Sequence, residues 1–476
     1  MLYHMLVERN IDVKRPIICV GNRHYTYQEL DKMVRSFSAF LVSERITKGD
    51  RIVIVSTAGI DTIVAVLGCI ASGVVFIPVD SSMAETEREQ IIEETGAKCV
   101  LETFVEELDE EEEPQRIQRI WLKENDWIYI LYTSGSTSRS KGVIGCVSQI
   151  IFCVERINKR LMNGTEDKIL CALPLSFDYG LYQIFLSLAS GAELFLTDGK
   201  NLQKIPAILL KEQITAFPVV PSMLHILVYG GLFERMDFSK LRYICATGDK
   251  LNLKVVEAVH NRFPLVEIIP MYGLTECKRV SVMPRGNYEK TRKGSCGIPL
   301  EDIEVRLWNQ DSEGTGELVV IGDNVMEGYY LDEGKEEVFF IDPITGKKAL
   351  RTGDLFQIDE DGFLYFRGRI KRMIKSRGFR ISNVKIESFF SELEAVMEIR
   401  VLGIPDDMIG EKIGLAVYGK NSDVRGQISG VCDKLSFLYR PHLIYISTVP
   451  LPKNVNGKYD DNEICRQIIS YGEKWV

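Results

Sequence analysis

Between Ile128 and Val143 the chain reads IYILYTSGSTSRSKGV. An apolar run breaks into small hydroxyl residues and a glycine, then closes on Arg139 and Lys141. Those residue types in that order suit a phosphate: unhindered backbone N–H groups and hydroxyls can turn inward on an anion, and a mobile lysine brings positive charge to the outer phosphates. A Walker A loop needs glycine just before its lysine and Ser or Thr just after it. Here Ser140 precedes Lys141 and Gly142 follows, so that reading fails on spacing. A Ser/Gly linker with a chance lysine is the bland alternative, and the rest of the chain argues against it.

A second stretch has the same grammar. VEIIPMYGLTECKRV, from Val266, is an apolar strand ending in polar residues. Ligands of α/β sheets bind at the carboxyl ends of strands, where Glu276 can hold Mg²⁺ and Tyr272 can stack on a purine. In LPLSFDYG, Asp178 stands between apolar neighbours at the mouth of a helix. It is either a helix N-cap or a buried carboxylate that needs a cation. Near the C-terminus, LPKNVNGKYD presents Lys458 on a glycine-containing loop.

Strands and helices in alternation must carry these residues. Thr26 and Glu29 form a capping-box pattern ahead of the amphipathic series Leu30, Met33, Val34, Phe37 and Leu41. RIVIVS (51–56) reads as a buried strand, 62–71 as a helix and 74–78 as a strand, followed by a charged helix over 85–95 and a return to the sheet at 99–101. The acidic run 106–113 reads as a solvated loop. A helix over 149–160 and a strand over 168–172 follow, and further strand–helix units extend past Val266. From Gly316 onward, alternation around Asp-Gly turns predicts an antiparallel β subdomain. A boundary near Arg369 to Lys371 divides the chain into a large core, 1–369, and a small C-terminal domain, 370–476. The expected fold class is α/β: a large N-terminal domain of α/β subdomains plus a β subdomain, with a small α+β C-terminal domain.

The 476 residues are enough for several cores, and 45% hydrophobic with 26% charged content is ordinary for a globular protein. A net charge of −9 argues against nucleic acid or an anionic membrane as a general partner. The most apolar run, 63–79, is broken by Gly68, Gly73 and Pro78 and suits a helix, a turn and a strand rather than a membrane span. With no apolar leader, a cytoplasmic location is expected. Eleven cysteines without a CxxC pair and five histidines without HExxH point to free buried thiols and no metalloenzyme motif.

YTSGSTSRSKG, SFDYG, YGLTE, GELVVIGDNVMEGYY, RTGDL, GRIKRMIKSRGFRIS and NVNGK stand in one order along nearly the whole chain. That series resembles the adenylate-forming superfamily of acyl-CoA synthetases, luciferases and nonribosomal peptide synthetase adenylation domains. The resemblance implies an AMP-forming ligase using ATP and Mg²⁺. Thr133, Ser134, Gly135, Ser136, Thr137 and Lys141 would lie on the triphosphate and Glu276 on Mg²⁺. Tyr272, with Gly273 and Thr275 beside it, would lie against adenine. Asp354 would accept both ribose hydroxyls with help from Arg369. Lys458 would bridge the substrate carboxylate and the α-phosphate, and Thr137, Glu276 and Lys458 would form the catalytic set. Lys371 falls at the family's hinge, about which the small domain turns so that a thiol can enter; a plain surface lysine fits its neighbours as well.

Two branches of the family share this sequence. Leu274 in YGLTE and the KSRGFRIS run are similar to CoA ligases, whereas SFDYG and FIPVD (76–80) are similar to the amino-acid-activating branch. Ser138, Arg139 and Ser140 replace the common Gly-x-Pro. In amino-acid-activating relatives the position of Asp178 meets an α-ammonium, which would keep a buried carboxylate ionised. A small or medium amino acid is therefore expected, in a pocket of Asp178, Tyr179, Tyr182, Pro218, Cys245, Thr247, Met271, Arg279 and Val280. The alternative is a plain carboxylic acid handled by an acyl-CoA ligase. Arg279 pairs with a second substrate carboxylate, neutralises Asp178, or faces solvent; the three stay open. No Ser-centred phosphopantetheine site follows before Val476, so a freestanding enzyme is expected, with its thiol on a separate carrier protein or on CoA.

Overall fold

A computed structural model describes residues 1–102, 120–133, 141–234, 236–331, 338–419, 423–454 and 457–474. The chain forms two compact units, Met1–Glu304 with Val320–Leu350, and Val305–Val319 with Arg351–Val476. The expected cut at 369/370 falls inside the second of these.

The first unit is built on two sheets. One has six strands, in the order Gly328–Tyr329, Lys141–Cys146, Trp127–Thr133, Val75–Asp80, Arg51–Ser56 and Cys99–Leu101. The other has nine, with Tyr243–Ala246, Ala216–Val219, Lys168–Cys171 and Glu193–Leu196 as its parallel centre and the Glu267–Leu274/Lys278–Val282 hairpin toward one edge. Short runs such as YICA, AFPV and ELFL are buried at every position. Helices cover both faces of such strands, so they lack the in–out alternation of a half-exposed sheet.

Local signals behave as the chain predicts. Thr26 and Glu29 close a capping box on the helix Tyr27–Ser43, Glu85–Thr95 is a helix, and the 63–79 run is a helix, a turn at Gly73 and a strand. Among the strands that escaped the sequence reading is Lys141–Cys146, whose Lys-Gly start and two glycines hide its β pattern; the short pair Ile18–Val20 and Arg23–Tyr25 is another such case. The acidic run 106–113 lies outside the described residues.

The second unit has its own sheet, in which Gly410–Gly419 pairs with Val396–Asp406, Ile374–Ser376 and Leu443–Ser447. Ile386, Phe390, Val401, Leu415, Ile428 and Ile444 fill its core. Helices Asn383–Ser391, Val424–Cys432 and Asp461–Tyr471 accompany this sheet in the expected α+β arrangement. The strand Lys348–Ile358 begins in the first unit, paired with Phe339–Ile341, and ends in the second, paired with Leu364–Arg369.

No helix among the described residues is long and apolar enough to cross a membrane. All eleven cysteines are free and most are buried.

Candidate active site

In the first unit, Trp127–Thr133 and Lys141–Cys146 run antiparallel with Thr133 opposite Lys141. The Thr133 hydroxyl donates to the Lys141 carbonyl at 3.4 Å. This pairing holds the two ends of the glycine-serine stretch side by side; Ser134, Gly135, Ser136 and Thr137 lie outside the described residues. The Lys141 ammonium sits 4.6 Å from the centre of the Tyr329 ring, and the Tyr329 hydroxyl donates to Glu276 at 2.9 Å. One tyrosine thus gathers the lysine and the carboxylate. Sequence reasoning quoted its motif but missed Tyr329, because GYY reads only as strand.

Glu276 lies at the turn of the Glu267–Leu274/Lys278–Val282 hairpin. Tyr272 is buried and faces Ser281, Gly273 faces Arg279, and Thr275 is half-buried in the turn. A Cβ on Gly273 would stand 1.6 Å from the Lys278 carbonyl oxygen, so only glycine permits this hairpin. Lys278 itself has a left-handed backbone, φ +51°, a conformation rare for side chains of its kind.

Asp178 opens the helix Asp178–Ser190. Phe177 occupies the N-cap position and makes no side-chain cap bond, so the capping alternative for Asp178 is not realised. A narrow cavity is lined by Asp178, Tyr179, Tyr182, Cys245, Met271 and Arg279, all expected, and also by Gln183 and Lys278. Thr247, Pro218 and Val280 are not among its lining residues. The Tyr179 hydroxyl donates to the Cys245 carbonyl at 2.9 Å. Arg279 lies 4.6 Å from the Tyr179 ring centre and 3.7 Å from the Asp178 carboxylate, and both charged groups are 6% exposed. Of the three options for Arg279, the structure excludes solvent and pairs it with Asp178.

Lys278 is the residue the sequence reading passed over. It is 1% exposed, and its ammonium makes no hydrogen bond among the described residues. It lies 4.9 Å from the Tyr129 ring centre and 5.0 Å from that of Tyr182, whose hydroxyls meet at 3.0 Å. Burial pushes its pKa down to about 8 and Asp178 pulls it back up. A lysine at the start of a strand normally reads as a solvated edge, and nothing local marks it as buried.

In the second unit, Asp354 and Arg369 face each other across antiparallel strands. Arg369 Nε is 2.7 Å from Asp354 Oδ1 and Nη2 is 3.5 Å from Oδ2; the carboxylate is 1% exposed and the arginine 42%. Lys371 is exposed in the short turn Ile370–Arg372, and neighbouring Arg372 pairs with Asp461 at 3.1 Å. Asp461 begins the helix that follows Lys458 and also holds Arg400 at 2.7 Å. Lys458 closes a tight turn: its N–H donates to Asn454 Oδ1 at 3.0 Å, its carbonyl accepts from Asn454 N–H at 2.8 Å, and Gly457 supplies φ +73°. Asp461 thus ties the short turn that carries Lys371 to the helix that follows Lys458.

Glu276 fits the Mg²⁺ expectation in its chemistry. It offers one hard oxygen donor group, and the described residues contain no cluster of three or more metal-ligating side chains. Mg²⁺ held mainly by phosphates and water needs only one or two carboxylates.

Residues 8–330 match the family model described as AMP-binding enzyme. The chain is 26% identical to "Probable CoA ligase CCL5" of Humulus lupulus, over 92% of this chain and 87% of that one. It is also 26% identical to bacitracin synthase 1 of Bacillus licheniformis, over 91% of this chain but only 8% of that much longer protein. The fold is similar to the crystal structure of ATP-bound MatB from Rhodopseudomonas palustris, with a TM-score of 0.88, 20% identity and 98% of each chain covered. With the family model matched over residues 8–330, most of its length, the chain belongs to the AMP-binding enzymes and is an AMP-forming ligase that uses ATP to adenylate a carboxylic acid.

Proposed function

We propose that the acid lacks an α-ammonium group and that its acyl group passes from the adenylate to the thiol of CoA. The pairing of Arg279 with Asp178 carries this reading. The amino-acid expectation rested on a buried carboxylate in want of a cation; Arg279 is that cation, so an ammonium has no vacancy to fill. Likeness to a protein named as a CoA ligase along most of both chains supports the same branch. A second reading, an amino acid passed to a carrier-protein phosphopantetheine, keeps the support of SFDYG and of the bacitracin synthase likeness.

The chemistry follows from charge. A carboxylate oxygen attacks the α-phosphorus in line, the bond to the bridging oxygen breaks, and pyrophosphate leaves with that electron pair. Lys141, Thr133 and the Ser134–Thr137 stretch would hold the triphosphate, Tyr272 with Gly273 and Thr275 the adenine, and Asp354 with Arg369 the ribose. Glu276, steadied by Tyr329, would hold Mg²⁺, which supplies charge neutralisation to the phosphates when bound. Lys458 would offset the negative charge that accumulates between carboxylate and α-phosphate. In the second step the thiol attacks the acyl carbon and AMP leaves, with Lys371 as the pivot between the two half-reactions.

ATP–pyrophosphate exchange tests this, with amino acids and their deaminated analogues as substrates. Plain acids are expected to stimulate exchange and their amino analogues to fail. Exchange driven by amino acids alone, and lost in Asp178→Ala, would make Asp178 an ammonium clamp and restore the carrier-protein reading. Lys458→Ala is expected to lower exchange by roughly 10²–10³-fold, the usual loss for one charge-stabilising donor, while calorimetric ATP binding persists.

A further inference from the structure

The acid pocket holds more positive charge than it uses. Arg279 is committed to Asp178. Lys278, on the same cavity wall, has no acceptor for its ammonium among the described residues. The groups acting on it are Asp178 and Tyr182 from the helix Asp178–Ser190, Cys153 from the helix Val147–Leu161, Tyr129 from its strand, and Glu276 and Arg279 from its own hairpin. Asp178 is the strongest of the negative charges, and it is already shared with Arg279.

Two tyrosine faces recover part of what the ammonium loses in leaving water, but they accept none of its three N–H bonds. A buried donor left without an acceptor is costly, and natural folds rarely keep one without use. The backbone carries a further cost here. Lys278 holds a left-handed φ, and Gly273 is glycine because the Lys278 carbonyl presses against it. Strain and an unmet charge at one residue of a cavity wall point to a ligand.

We propose that Lys278, beside Arg279, receives a second carboxylate at the far end of the acid, so that the substrate class is a dicarboxylic acid. This rests on the adenylation reading and deepens it. A distal carboxylate supplies the acceptor oxygens that Lys278 lacks. It also accounts for Arg279 without a substrate ammonium. With Asp178 holding one side of the guanidinium, its other N–H groups remain available to the same anion.

The experiment is ATP–pyrophosphate exchange with malonate, succinate, glutarate and adipate, each beside its monomethyl ester, which keeps the length and removes one charge. In wild type the best diacid is expected to exceed its half-ester in kcat/KM by roughly tenfold or more, since a site built for a polar group rejects the analogue that lacks it. In Lys278→Met that ratio is expected to collapse toward one, mainly through KM. A merely structural lysine would lower both substrates together and leave the ratio standing, which would overturn the proposal. Lys278→Gln serves the same comparison if the methionine variant does not fold, and a wild type that treats diacid and half-ester alike overturns the proposal without any variant. Exchange with monocarboxylic or amino acids but no diacid removes the inference and leaves the adenylation assignment intact. Exchange with no acid of any class removes the adenylation reading and the inference with it.

Discussion

Asp178 and Asp354 are both buried aspartates paired with arginine, and they are built in opposite ways. Asp354 meets Arg369 directly across a β-ladder, at 2.7 Å, and the arginine is 42% exposed. Asp178 meets Arg279 at 3.7 Å from a different element far along the chain, with both groups 6% exposed. The first pair buries its carboxylate but keeps the arginine partly in water, so only one of its two charges is fully desolvated. In the second, both charges leave water for loose contact, and burial costs more than such geometry returns. A pair that is tight and half-solvated needs no further charge to be stable, while its carboxylate keeps lone pairs for the ribose hydroxyls. The buried, loose one, with Lys278 beside it, has capacity left for a ligand.

That contrast can be broken. The largest effect is expected from Arg279→Met, which strands a buried carboxylate: about 3–5 kcal/mol of stability should be lost in denaturant unfolding, and a loss near that of Arg369→Met would mean the two pairs are alike. Next, Asp354→Asn is expected to weaken ATP binding by roughly 10–100-fold, in keeping with about 1.5–3 kcal/mol for hydrogen bonds to a charged group. Calorimetry with ATP alone reads this, and an unchanged affinity would remove Asp354 from the ribose. The smallest effect is expected from Arg369→Met, about 1 kcal/mol of stability, because water can take the place of a half-exposed guanidinium. A loss of several kcal/mol there would show that Asp354 depends on Arg369 as strongly as Asp178 depends on its own arginine.

Much of this was legible in the chain. The capping box at Thr26, the helix Glu85–Thr95 and the buried runs of the central sheet follow from local hydrogen bonding and periodicity, which act over a few residues. Six of the nine expected pocket positions line one cavity. The strand Lys141–Cys146 went unseen because glycines dilute its β signal and its partner strand lies across the phosphate stretch. Tyr329 was hidden for a related reason: its role comes from reaching Lys141 and Glu276, which belong to other elements.

The sequence by itself determined the reaction class, because YTSGSTSRSKG, YGLTE, RTGDL and NVNGK are short local stretches that stand in the order of the adenylate-forming superfamily. The resemblance named Asp354 and Arg369 together for the ribose, and one antiparallel turn brings these residues, 15 apart, face to face. Only the tertiary structure decided which cation Asp178 meets and that Lys278 is buried without an acceptor. Helix Asp178–Ser190 and hairpin Glu267–Val282 come together through packing of the whole sheet, and no local pattern encodes the charge on one element that will face a charge on another.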